Sequence, residues 1–166
     1  MGSEMCIRDR FYLATYGPAT VGTFAIVTLV RDAGGEATGL SKWAGLGKRS
    51  PLVAGAFAFL LLSMAGIPLT GGFVGKWAVF AVALSAGAWP VVVVAITASV
   101  ISVFFYVRVI LLMFFADADE AGSASVTTPS LLTSATIMVC VVVTLLLGIV
   151  PGPVLDLAGN AGSFIR

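Results

Sequence analysis

The chain contains no histidine. That removes the side chain most often used as a general base, the ligand of most zinc sites and the usual ligand of haem iron. Its two cysteines, Cys6 and Cys140, have no metal-ligand spacing. Cys140 falls in an apolar run, and no disulfide framework is expected. Charge is scarce as well: 10% of the residues are charged, and nine basic against eight acidic side chains leave a formal net charge of +1. A basic surface for nucleic acid is therefore missing. No G-x-G-x-x-G or P-loop follows a strand-like run, so nucleotide binding has no support.

What is present is hydrophobic. Apolar residues make up 59% of the 166, and the mean hydropathy is +1.08. A soluble domain this small could not bury so many Val, Leu, Ile, Ala and Phe side chains, whereas a bilayer core about 30 Å thick needs runs of roughly 20 of them. The expected fold is an all-α, polytopic transmembrane helix bundle in contact with lipid. The polar opening "MGSEMCIRDR", residues 1–10, does not fit this pattern. It reads as a foreign or mis-assembled leader, with a functional amphipathic start as the alternative. Spans are expected at about 11–30, with a kink at Pro18, at 51–88 with an interruption at 67–72, at 89–115 and at 131–150. Pro151 and Pro153 stop the last span, and 156–166 forms a tail.

The sequence alone leaves open whether 51–88 crosses once or twice. The connection 31–50 carries Arg31, Lys42, Lys48 and Arg49, which makes it cytoplasmic by the positive-inside rule, with Lys48 and Arg49 as edge anchors. A single crossing by 51–88 returns the acidic linker 116–130 to the cytoplasm, and two crossings leave it outside. Arg108 lies near the end of its helix and snorkels most easily to a cytoplasmic face, which favours one broken crossing.

The stretch "SMAGIPLTGGFVGKWAVF", Ser63 to Phe80, interrupts the apolar pattern with Pro68, Gly71, Gly72 and Gly75, and then places Lys76 just beyond them. Between Pro51 and Phe115 the charged residues are Lys76 and Arg108. Non-helical backbone at membrane depth is tolerated where it is packed in protein or lines a wet cavity. Pro68 removes a helical donor, and the glycines permit backbone conformations and approaches that other residues obstruct. The second half-helix is expected to start near Phe73, with Lys76 in its first turn. Burial and the positive helix end both work against a fixed charge there, and a lysine, unlike an arginine, can release and retake its proton. The competing reading makes Lys76 an interfacial anchor that snorkels to the headgroups.

The run "LSKWAGLGKRSPLVAGAFAFLLLSMAGIPLTGGFVGKWAVF", with "FYVRV" after it, resembles the antiporter-like (Mrp-type) membrane subunits of bacterial respiratory complex I, the proton-translocating NADH:quinone oxidoreductase. The resemblance covers about residues 11–155, is closest to the N-type subunits and corresponds to their C-terminal helices. An M-type subunit would carry glutamate in place of Lys76, and an L-type subunit a differently surrounded lysine. The resemblance implies two inverted repeats with one broken helix each, the second carrying the "GK" lysine, which falls on Lys76. It implies proton transfer by Lys76 with Tyr106 and Arg108 as candidate supports. It also implies that NADH, FMN, iron–sulfur clusters and quinone are held by other subunits, with no metal or cofactor on this chain. The implied partners are other membrane-arm subunits, in the bacterial inner membrane. The family's other proton-path residues, an acidic residue and lysines on earlier helices, have no counterpart in this chain. Two alternatives share some of these features: a subunit of a multisubunit sodium/proton antiporter or membrane-bound hydrogenase, and a non-transporting membrane scaffold.

Overall fold

The structure, a computed structural model, describes residues 2–32, 35–68, 70–117, 124–150 and 152, with the side chains of 2–11 left aside. Pro151, Pro153 and the tail 156–166 lie outside the described residues. In order, the elements are α1 (Gly2–Leu29), β1 (Val30–Asp32), β2 (Gly35–Glu36), a 3-10 turn (Leu40–Trp43), α2 (Leu46–Arg49), α3 (Pro51–Ala65), α4 (Gly71–Ser85), α5 (Trp89–Phe115), β3 (Ser125–Val126) and α6 (Leu131–Ile149). Helices dominate, as the composition implies. The first helix starts at Gly2 rather than at Phe11, and it continues through Pro18.

Local chemistry fixes the helix ends. Proline opens α3 and α5, where its missing N–H leaves no bond unmade. Gly66 ends α3 in the left-handed region at φ +87°, and the Ile67 N–H closes back on the Leu62 carbonyl at 3.2 Å. Gly87, at φ +75°, does the same after α4, with Ala88 N–H donating to the Ala83 carbonyl at 2.9 Å. Ser130 caps α6, its hydroxyl accepting from the Thr133 N–H at 3.2 Å.

Contacts along α1 set the direction of α3 and α4. Gly22 faces Leu60 of α3 and Cys140 of α6, so closely that a Cβ at Gly22 would stand 2.9 Å from Leu60 Cδ1 and 2.8 Å from Cys140 Cβ. The Thr23 hydroxyl lies 3.7 Å from Met64 Sδ. Toward the start of α1, Thr15 meets Gly71 and Gly75 of α4. Descending α1 therefore means ascending α3 and then α4, so both half-helices run in one direction, antiparallel to α1. The end of α5 meets α2, where Phe114 packs on Gly47. Its earlier residues Ala95 and Ser99 share a pocket with Lys76, Val79 and Phe80 of α4. Thus α5 returns alongside the interrupted pair.

The described parts of the connections 31–50 and 116–130 gather at one end of the bundle. There β1 pairs antiparallel with both β2 and β3. Lys42 bonds Asp32, Lys48 bonds Asp117 at 3.1 Å, and the Arg49 guanidinium donates to the carbonyls of Ala124 and Ala44. Trp43 stacks on Phe57 at 5.0 Å and donates its indole N–H to the Ala37 carbonyl. Beneath this platform lies the apolar core, with Ile26, Val30, Leu46, Leu60 and Met113 fully buried. Helix α5 buries Val92, Val109 and Met113 and exposes most of its remaining residues, and both it and α6 are long and apolar enough to cross a membrane.

The interruption lies one to two residues earlier than the sequence suggests, at 66–70, and Gly71 and Gly72 are helical and buried. Their value is closeness rather than unusual backbone angles. A Cβ at Gly72 would fall 1.9 Å from the Ser63 carbonyl oxygen, and one at Gly71 would fall 3.3 Å from Leu147 Cβ. The first turn of α4 can therefore lie directly on the last turn of α3. Because the obstructing atom at Gly72 is backbone, Gly72→Ala is expected to lower stability by about 1–3 kcal/mol or more. Thermal unfolding of the detergent-extracted protein checks this; an unchanged midpoint would show that the two turns have room to part.

Candidate functional site

Lys76 is the sixth residue of α4, in its second turn and not its first, because the helix starts at Gly71. Its side chain turns back across the interruption. The ammonium donates to the Met64 carbonyl at 3.0 Å and to the Ala65 carbonyl at 3.1 Å. Both carbonyls belong to the last turn of α3, where helical partners run out. The Met64 carbonyl would ordinarily receive the N–H four residues on, but that residue is Pro68, which has none. Lys76 supplies the missing donor. Gly66 lets the stem pass, since a Cβ there would come within 3.2 Å of Lys76 Cδ. The amine therefore faces the negative end of α3, and not the positive end of its own helix, as the sequence had suggested.

Beside the amine lies a pocket of about 280 Å³ lined by Tyr12, Lys76, Val79, Phe80, Ala95 and Ser99. That is room for several waters. The junction is also lined with small buried hydroxyls. The Gly72 N–H donates to Ser63 Oγ at 3.4 Å, the Thr15 hydroxyl donates to the Tyr12 carbonyl at 2.9 Å, and the Thr70 hydroxyl donates to the Ile67 carbonyl at 2.7 Å. Thr144 Oγ1 is fully buried with no hydrogen-bond partner among the described residues. No group of three or more His, Cys, Asp or Glu side chains suited to a metal is found among the described residues.

The other sequence candidates divide. Pro68, Gly71, Gly72 and Gly75 all belong to the junction. Tyr106 lies half-buried on α5, edge-on to Phe105. Arg108 is exposed, about nine residues along α5 from Ser99, and does not line the pocket. Tyr12, Tyr16, Ser63 and Ser99 were missed. The four-residue spacing of Tyr12 and Tyr16 places them on one helix face, a signal that was available; Ser63 and Ser99 carried none, because they are brought in by packing.

A bundle with one interrupted helix and a lysine closing the gap defines an antiporter-like, polytopic membrane fold. The structure superposes on a chain of respiratory complex I from Thermus thermophilus with bound aureothin at a TM-score of 0.79 and 32% identity, covering 91% of this chain and 34% of that one. It also superposes on a chain of the Mrp complex from Dietzia sp. at a TM-score of 0.81, covering 98% and 38%, a likeness of fold alone at 22% identity. The sequence pattern of the NADH:quinone oxidoreductase/Mrp antiporter transmembrane family matches residues 2–102, and the chain belongs to that family. NADH-quinone oxidoreductase subunit N of Nocardioides sp. is 72% identical over 94% of this chain, and that of Rhodococcus opacus is 58% identical over 94%. The chain spans 30% and 29% of the length of these two relatives. It is a multi-pass bacterial membrane protein.

Gly75 sets how closely α4 can approach α1, because a Cβ there would meet the Thr15 hydroxyl at 2.7 Å. Gly75→Ala is expected to push the helices apart and destabilise the extracted protein, and adding Thr15→Ala should recover part of the loss by removing that hydroxyl. The double-mutant comparison reads this coupling directly, and strict additivity would show that the contact does not limit the packing.

Proposed function

We propose that this chain is one portion of an N-type, proton-translocating membrane-arm subunit of bacterial NADH:quinone oxidoreductase, and that Lys76 is a proton carrier in it. The sequence support is the identity to subunit N relatives over nearly the whole chain. The structural observation that carries the reading is the Lys76 amine seated on the free carbonyls of Met64 and Ala65 beside a pocket large enough for water. In this reading α3 and α4 form one interrupted crossing. Gly72 overlaps Ser63, so at 1.5 Å per residue the pair reaches about 38 Å, enough for a hydrocarbon core of about 30 Å. The junction then lies inside the membrane. The basic connection 31–50 and the linker 116–130 share the cytoplasmic side.

The chemistry follows from the two faces available to the amine. A protonated Lys76 binds the α3 carbonyls, which only a donor can satisfy. A neutral amine gains a lone pair, is less strongly held by the carbonyls, and can accept a proton from pocket water. Quinone reduction elsewhere in the assembly supplies the energy, and the redox groups reside on other subunits. The complex as a whole is the oxidoreductase, and this chain contributes to ion transfer. The Dietzia likeness supports a shared fold with sodium/proton antiporter subunits, whereas the sequence identity favours the quinone-linked complex.

Placed in the full-length subunit within its complex, Lys76→Ala should lower quinone-linked proton pumping about tenfold or more while complex content stays near wild type. Lys76→Arg should impair pumping too, since its guanidinium keeps its proton at any physiological pH. Wild-type pumping by the arginine variant, with reduced complex content in the alanine variant, would make Lys76 an anchor and overturn the proposal.

A further inference from the structure

We infer that the junction binds a single structural water between α1, α4 and α6, held by the hydroxyl of Thr144, and that this water ties α6 to the first turn of α4. The inference does not depend on Lys76 carrying a proton. Thr144 is fully buried, and its Oγ1 has no hydrogen-bond partner among the described residues. Other helical threonines show what sets it apart. Thr20, Thr23, Thr97 and Thr136 each donate to the carbonyl four residues back, at 2.7–2.9 Å, and Thr15 and Thr28 donate to the carbonyl three residues back. That bond is one reason a helical threonine has two favoured side-chain positions. Thr144 makes no such bond with the Cys140 carbonyl, and its buried hydroxyl faces the neighbouring helices instead. Buried hydroxyls are nearly always bonded, to protein or to ordered water.

The surroundings decide what the ligand is. Thr144 stands beside the start of α4, where a Cβ on Gly71 would lie 3.4 Å from the Thr144 carbonyl oxygen, 3.3 Å from Leu147 Cβ and 3.6 Å from Thr15 Cβ. Contacts that close admit no ligand larger than a water. Polar groups converge on the same place. The fully buried Thr15 hydroxyl gives its hydrogen to the Tyr12 carbonyl and keeps lone pairs that can accept, and it faces Gly75, whose Cβ would meet it at 2.7 Å. The first N–H groups of a helix have no helical acceptors, and in α4 that of Gly72 makes a long contact of 3.4 Å with Ser63 Oγ. Two to four such partners hold an internal water. An ion fits poorly. The positive end of α4 disfavours a cation, and the Lys76 ammonium, which could balance an anion, is committed to the carbonyls of Met64 and Ala65. Burying an unpaired charge costs far more than burying a water. The water takes the Thr144 hydrogen and gives one of its own to Thr15 Oγ1, joining α6 to α1 across the glycine face of α4.

The test uses the full-length subunit in its assembled complex, with wild type, Thr144→Val and Thr144→Ser compared by density maps fine enough to show ordered water and by thermal unfolding. Valine keeps the shape of threonine and removes the hydroxyl, whereas serine keeps the hydroxyl. Wild type and Thr144→Ser are expected to show water density about 2.7–3.1 Å from the hydroxyl oxygen, and Thr144→Val to lose it. The unfolding midpoint of Thr144→Val should fall by about 2 °C or more, because the groups that the water had joined are left without it. A wild-type map with no density beside Thr144 Oγ1, or with that hydroxyl bonded directly to the Cys140 carbonyl, overturns the site. So does a Thr144→Val variant as stable as wild type or more so, since deleting an unbonded buried hydroxyl relieves a cost instead of removing a bond. If Thr144→Val fails to assemble, the wild-type and Thr144→Ser maps still decide, and either result leaves the reading of Lys76 untouched.

Discussion

The contact between the Lys76 ammonium and the carbonyls of Met64 and Ala65 is the constraint around which this bundle is arranged. A helix that stops among apolar neighbours exposes carbonyls that lipid cannot satisfy, and an unsatisfied polar group there costs several kcal/mol. Pro68 makes the deficit permanent by withholding the N–H that would have paired with Met64. Among the described residues, the donor that meets these carbonyls is an amine from the next helix, delivered over a glycine. The lysine and the interruption are therefore not two features but one. Each would be expensive to bury without the other.

That arrangement dictates the packing around it. For an amine in the second turn of α4 to reach the end of α3, the two helices must overlap at their junction, and Gly72 lying against the Ser63 carbonyl provides the overlap. The junction must then be covered from outside, because its polar backbone cannot face lipid. Helix α1 covers it through Thr15 against Gly71 and Gly75, and α6 through Leu147 against Gly71. Small residues recur at these contacts because a membrane bundle gains its association from close van der Waals approach rather than from expelling water. Helix α5 closes the pocket with Ala95 and Ser99 while presenting Phe104, Ile101 and Val94 outward, a division suited to a helix between protein and lipid.

Much of this could be read from the residues. Runs of apolar side chains gave the helices, and the cluster from Pro68 to Gly75 the interruption and its lysine. The boundaries were harder. Glycines at 71 and 72 look like unwound backbone in a sequence, and only tertiary contact shows that they are helical and exist to let another chain segment close in. The same limit hid the partner of Lys76, since a return path to residues 64 and 65 depends on how far the half-helices overlap. The strands β1, β2 and β3 are too short for any alternation to register, and their pairing is held by backbone hydrogen bonds, with Ala37 N–H donating to the Val30 carbonyl and Thr127 N–H to the Leu29 carbonyl beside them. Tyr106 was visible as a motif residue, whereas the place of Ser99 beside Lys76 in one pocket depends on how α5 returns along α4.

If Lys76 exchanges its proton, the same two hydrogen bonds couple chemistry to mechanics. Removing the proton weakens what holds α4 over the end of α3, and moving α4 away from that end removes acceptors that favour the proton. Linkage requires these to be one coupling free energy seen from two sides. A displacement of about 1 Å at the junction would carry bonds of 3.0 and 3.1 Å beyond good geometry. The elements able to impose such a displacement are those wedged against the junction, α1 at Thr15 and Gly75 and α6 at Leu147 and Gly71. The tight glycine contacts are thus more than a packing solution. They are stiff enough to transmit a small shift of a neighbouring helix to the amine, which a looser, lipid-filled junction would absorb.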